Sequence, residues 1–151
     1  MTIGTPQATA PFRWTDMFLL GYPQMDTVHQ EFVAILGRLE GATDAELPAL
    51  LEELATHTRA HFEMENTWMV DSAFPPRECH IDEHAAVMQS VDDVRLLLAR
   101  GDTAVCRRLV AELIQWFPSH ADHLDSALAH WISKLRTGGK PVVLRRGVSL
   151  R

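Results

Sequence analysis

Eight histidines occur in this 151-residue chain, and five of them, His29, His61, His80, His84 and His120, fall on the apolar stripes of predicted helices. Glu65 follows His61 by four residues, and His84 follows His80 by four. Each pair therefore lies on one helix face and can point at a shared centre. A lone buried imidazole is satisfied by one hydrogen bond, so any one of these residues taken alone reads most simply as a core histidine. Five imidazoles and a carboxylate buried without partners would cost on the order of several kcal/mol. A metal ion turns the same groups into bonds. The chemistry indicated is metal ligation by nitrogen and oxygen donors.

The elements that must position these groups are four helices. The first is predicted over about Pro23 to Leu39, where Met25, His29, Phe32, Leu36 and Leu39 step by 4, 3, 4 and 3 along one face, and Gly41 ends it. The second begins near Asp44, carries Leu47, Leu50, Leu54, Thr58, His61, Glu65 and Trp68 on one stripe, and stops before Phe74-Pro75-Pro76. The third holds His80, His84, Val87, Val91, Val94 and Leu98 and closes at Gly101, after which Asp102 is placed to cap the next helix. The fourth carries Val105, Leu109, Leu113, Trp116, His120, Leu124, Leu128, Trp131 and Leu135. Pro118 removes a backbone donor within it, which predicts a kink two residues before His120. No strand-like alternation competes. The fold class expected is all-α, an antiparallel up-down four-helix bundle. The domain is expected over residues 1–136 with an N-terminal arm over 1–21, followed by a basic C-terminal tail over 137–151.

Composition narrows the function classes. Hydrophobic residues at 46% and charged residues at 23% are ordinary for a soluble globular domain, and no apolar run reaches the roughly 20 residues of a membrane span. A net charge of -6 opposes nonspecific binding to nucleic acid or an anionic membrane. Met1 to Pro11 lack the basic start and apolar middle of a secretory signal, and Cys79 and Cys106 form no CxxC pair, so a cytoplasmic protein with free thiols is expected. The tail carries Lys140, Arg145, Arg146 and Arg151 and no acidic residue, and Pro141 to Leu144 is expected to dock on an apolar surface.

The site motifs resemble those of the hemerythrin family, over roughly Trp14 to Asp125 and on to the end of the fourth helix. GYPQMDTVHQEF, Gly21 to Phe32, is similar to the family's first-helix pattern of an apolar-Asp pair followed three residues later by histidine. HFEME, His61 to Glu65, resembles HFxxE, with Met69 where a methionine usually follows. Phe74-Pro75 ahead of His80 and His84 resembles the aromatic-Pro segment before HxxxH, and WFPSHADHLD, Trp116 to Asp125, resembles WLxxHxxxxD. The resemblance implies a di-iron centre: His80, His84 and His120 would saturate one iron, His29 and His61 would hold the other and leave it an open position, and Glu65 and Asp125 would bridge both beside an oxo or hydroxo group.

The chain also departs from the family pattern. His120 and Asp125 are five residues apart, about 140 degrees around an ideal helix, so Asp125 needs a local widening of the helix to join the site. His123, three residues after His120, is the rival ligand. His57 is expected to be a neighbouring or surface residue, and His130 to face solvent. Asn66 stands where many relatives have a second glutamate, while Phe117 and Ala121 replace the leucine and bulkier aliphatic usual near the oxygen pocket. That pocket is expected to be lined by Phe62, Trp116, Phe117 and Ala121. The resemblance implies reversible binding of dioxygen for delivery, storage or sensing, without enzymatic turnover. A di-iron oxidase or peroxidase is the alternative, although the ferritin-like pattern of four glutamates and two ExxH motifs is missing. An iron- or nitric-oxide-responsive module is the third reading.

Overall fold

Helix α1 (Pro23–Glu40) opens on a proline, whose fixed φ and missing N–H suit the first helical turn, and it buries Met25, Asp26, His29, Phe32, Val33, Ile35, Leu36 and Leu39. These residues and the rest of 11–136 are described by a computed structural model. Helix α2 (Leu47–Asp71) starts three residues later than the sequence predicts. The Glu46 carboxylate accepts hydrogen bonds from the Thr43 backbone N–H and hydroxyl, at 3.2 and 2.7 Å, which holds Thr43–Glu46 as a turn. Pro48 then sits in the first helical turn, where its missing donor does no harm.

Helix α2 ends where Ala73 takes a left-handed φ of 52° and the Phe74 N–H reaches back to the Met69 carbonyl at 2.9 Å. Helix α3 (Arg77–Ala99) follows directly after the two prolines and closes at Gly101, whose φ of 93° favours glycine. Asp102 caps helix α4 (Thr103–His120), accepting the Val105 N–H at 3.0 Å as predicted. The fourth rod then passes through a π-helical turn, Ala121–Asp125, into α5 (Ser126–Arg136). Pro118 lies inside α4, and the departure from α-helical geometry comes three residues after it, at the π turn.

Helix α1 packs on α2, α2 on α3 and α3 on α4, and α4 closes back on α1. Short connections between sequential neighbours make this the expected up-down four-helix bundle. No strand occurs among the described residues, and no helix there is long and apolar enough to cross a membrane. The tail over 137–151, with the docking expected of it, lies outside the described residues.

Two apolar clusters fill the interior. The larger includes Phe32, Phe62, Val87, Phe117 and Ala121. The smaller includes Met25, Met69, Phe74, Leu128 and Ile132, with Trp68, Ile81 and Trp131 against it. Along each rod the predicted site residues fall at the boundary. His29 lies between Met25 and Phe32, Glu65 between Phe62 and Met69, His84 between Ile81 and Val87, and Asp125 between Ala121 and Leu128. A buried polar layer is thus sealed by hydrocarbon above and below.

The N-terminal arm is fastened across this layer. The buried Asp26 carboxylate accepts the Leu20 and Gly21 N–H groups at 2.8 and 3.1 Å, which fixes the approach to α1. Further out, the Phe12 N–H donates to Glu40 at 2.8 Å, and the Phe12 carbonyl oxygen lies 2.6 Å from where a Cβ on Gly37 would stand, so only glycine admits the chain there. Phe18 on the arm then packs on Phe117, with ring centroids 5.5 Å apart. Replacing Asp26 by Ala strands two backbone donors. Asp26→Ala is expected to lower stability by about 2–4 kcal/mol, and Asp26→Asn, which keeps one acceptor oxygen, by less, as read from denaturant unfolding.

Candidate metal centre

Seven side chains meet in the polar layer: His29 from α1, His61 and Glu65 from α2, His80 and His84 from α3, His120 from the end of α4, and Asp125 from the π turn. All are buried, Glu65 and Asp125 completely. Their donor atoms form two groups that could hold a metal ion. One is Glu65, His80, His84, His120 and Asp125, and the other is His29, His61 and Glu65; within each group the donor atoms lie within 4.8 Å of one another.

The two carboxylates join these groups, and they do so oxygen by oxygen. Oε2 of Glu65 faces His61 at 2.5 Å and His29 at 3.3 Å, while Oε1 faces His84 at 3.4 Å and His80 at 3.6 Å. Oδ1 of Asp125 faces His80 at 2.9 Å and His120 at 3.2 Å, while Oδ2 faces His29 at 3.1 Å. Each carboxylate therefore gives one oxygen to the three-histidine side and the other to the two-histidine side.

The π turn makes this possible. Five α-helical steps would rotate Asp125 away from His120, but the residue inserted by the wider turn makes the pair behave like neighbours one turn apart. The local widening expected from the sequence is present. His123 is exposed, as is His130, and neither joins the cluster. His57 also stands outside it, with its Nε2 2.9 Å from the Glu31 carboxylate.

Several of the converging atoms have no hydrogen-bond partner: Nε2 of His80, His84 and His120, Oε1 of Glu65 and both oxygens of Asp125. His80 Nε2 and Asp125 Oδ1 are 2.9 Å apart yet are not aligned as donor and acceptor. Buried polar atoms this close and this poorly paired are arranged around common points and not toward each other. Imidazole nitrogens and carboxylate oxygens arranged so are the donor types iron accepts. The residues fit a metal.

Without a metal, the layer is held by charge. Burial pulls the imidazoles of His29 and His80 down, but contacts with Asp125 and Glu65 outweigh it and raise both to about 9. Burial favours the neutral acids, yet the surrounding imidazoles hold Glu65 and Asp125 well below the usual carboxylate range. Desolvation lowers His84.

Aromatic rings wall the layer. Phe62 stacks on His84 at 3.9 Å between centroids, and Trp116 stacks on His120 at 4.2 Å. Phe117 stands edge-on to His29 at 5.3 Å and also meets Phe32 at 5.3 Å. Of the predicted pocket residues, Phe117 thus lies on the two-histidine side, Trp116 covers the three-histidine side, Phe62 touches His61 as well as His84, and Ala121 is buried among the core residues. Phe32 and Phe18 complete the Phe117 wall. Phe32 sat on the predicted apolar stripe, but nothing in its spacing marked it as a wall of the site. Two polar neighbours were also not singled out as partners. Asn66 accepts from Nδ1 of His84 at 2.8 Å, and Glu83 accepts from Nδ1 of His120 at 3.0 Å.

A four-helix bundle enclosing five histidines and two carboxylates between apolar layers has the donor set of a metal-binding helical bundle. The family model described as Hemerythrin HHE cation binding domain matches residues 20–132, and this chain belongs to the hemerythrin family. It is 36% identical over 122 residues to a bacteriohemerythrin of Ralstonia nicotianae, covering 81% of this chain and 89% of that one. Bacteriohemerythrins of Pseudomonas aeruginosa and Stenotrophomonas maltophilia are 26% and 24% identical, over 81% and 77% of this chain and 84% and 78% of theirs.

The charge balance generates a pH dependence. His29 and His80 are raised on folding, so without metal they stabilise the fold fully below about pH 6.5 and lose that contribution as pH rises through about 9. Glu65 and Asp125 are depressed, so their contribution is present above the usual carboxylate range and is lost on acidification. Metal binding needs unprotonated imidazoles and runs the other way. Melting temperatures measured from about pH 6 to about pH 9 should fall for the metal-free protein, while the increment given by iron grows. A metal-free melting temperature that rises across this window would contradict the charge assignment.

Proposed function

We propose that the chain holds two iron ions and binds dioxygen reversibly, as a carrier, store or sensor and not as an enzyme. The observation that carries this reading is the division of both carboxylates between an imidazole trio and an imidazole pair. On it, His80, His84 and His120 hold one iron, His29 and His61 hold the other, and Glu65 and Asp125 bridge the two. The names of the relatives, all bacteriohemerythrins, support the same reading. Two free cysteines, Cys79 exposed and Cys106 buried, agree with a reducing cytoplasmic setting.

When bound, a pair of iron ions can exchange two electrons with a small ligand. The chain's own residues decide what can approach. The trio outnumbers the pair, so the side of His29 and His61 has fewer donors and is where a small ligand would find room. Phe117, Phe32 and Phe18 close that side with hydrocarbon, which excludes bulk water and slows proton delivery. Ala121 is small and lies in the same buried apolar cluster as Phe117. Such a wall suits an apolar diatomic molecule better than an organic substrate, which favours binding over oxidase or peroxidase turnover.

The test is an oxygen cycle. Iron-loaded protein, reduced without oxygen, should develop a visible absorption band on exposure to oxygen and lose it when oxygen is withdrawn, over repeated rounds. Irreversible oxidation in the first round, with rapid consumption of an added organic reductant, would replace this reading by the oxidase one.

A further inference from the structure

The nitrogens that face away from the cluster are treated unequally. Nδ1 of His29, His61 and His80 has no hydrogen-bond partner. His84 meets a neutral amide, Asn66. His120 alone among the five meets a carboxylate there, Oε1 of Glu83 at 3.0 Å. That same oxygen accepts the indole N–H of Trp116 at 2.7 Å. Trp116 precedes His120 by one helical turn, and its ring lies over the imidazole with 29° between planes. One residue of α3 thus fastens two rings of α4 that are already stacked on each other.

His120 has particular need of such support. It stands between Pro118, which cannot donate to the carbonyl one turn back, and the π turn that begins at Ala121. The helix backbone is least regular where this imidazole must be held most firmly. A carboxylate at Nδ1 makes that nitrogen the donor and leaves the Nε2 lone pair facing the cluster, 3.2 Å from Asp125. It also makes the imidazole a richer electron donor. The Glu83 side chain is 38% exposed, so its removal opens no cavity in the core.

We propose that Glu83 is a positioning residue for His120, fixing its tautomer and orientation and thereby setting the retention and reduction potential of iron on the three-histidine side. This rests on the reading of the cluster as an iron site. Asn66 meets the same nitrogen of His84 without a charge, so Glu83 supplies the one carboxylate found at an outward-facing nitrogen of the five histidines.

The experiment compares iron-loaded wild type with Glu83→Ala, Glu83→Gln and, as a control for general surface charge, Glu112→Gln, an exposed carboxylate on the same groove between α3 and α4. Iron per chain, the rate of iron loss to a chelator and the reduction potential are measured. Glu83→Ala should lose iron roughly 10-fold faster or more. Glu83→Gln, which keeps an acceptor but no charge, should lose iron more slowly than Glu83→Ala while its potential shifts upward, because the His120 imidazole becomes a weaker electron donor to the ferric state. Glu112→Gln should match wild type in all three. Wild-type rates and potential in both Glu83 variants, or an equal shift in Glu112→Gln, would overturn the proposal while leaving the iron site intact. Wild-type protein that takes up no iron would instead overturn the reading of the site, and the proposal with it.

Discussion

Glu65 and Asp125 are completely buried carboxylates, and the rest of the bundle is arranged around the need to compensate them. An anion in a dry interior persists only if positive charge or many donors surround it. Here the compensation comes from every rod: one imidazole from α1, one from α2, two from α3 and one from the end of α4. Removing any helix would leave an uncompensated charge, so the polar layer fixes the register of all four rods along their axes. Hydrophobic packing alone tolerates slippage between helices of similar face; a shared set of seven polar side chains does not.

Sealing follows from the same constraint. The two apolar clusters keep water from both ends of the layer, which strengthens the interactions within it and leaves the converging nitrogens and oxygens with few partners besides each other. The arm and α5 complete the enclosure. Asp26 holds the arm, Phe18 brings it onto Phe117, and Trp131 donates to Ser72 across the loop at the end of α2. Arg136 reaches the Tyr22 hydroxyl at 2.9 Å, linking the last helix to the segment that enters the first. Structure away from the site thus serves access to it.

The helices and six of the seven polar groups were legible from spacing, because His29, His61, Glu65, His80, His84 and His120 interrupt apolar stripes that repeat every three to four residues. Asp125 was legible only through the family resemblance. Its five-residue offset from His120 contradicts an ideal helix, and the π turn that resolves it leaves no periodic signature. The sequence places the start of α2 near Asp44, whereas the Glu46 side chain closes a turn with Thr43 that pushes the helix to Leu47. Glu83 was missed for a different reason. It sits beside His84 in sequence but serves His120 on another helix, and only packing of α3 on α4 brings them together.

On the proposed reading, one layer of side chains would hold two metal ions, with the trio His80, His84 and His120 on one, the pair His29 and His61 on the other, and both carboxylates shared. Iron-edge anomalous diffraction from crystals of the iron-loaded protein tests it directly. Two peaks should appear in the layer, one beside the trio and one beside the pair, with Glu65 and Asp125 touching both. A single peak, or a second peak elsewhere, would contradict it.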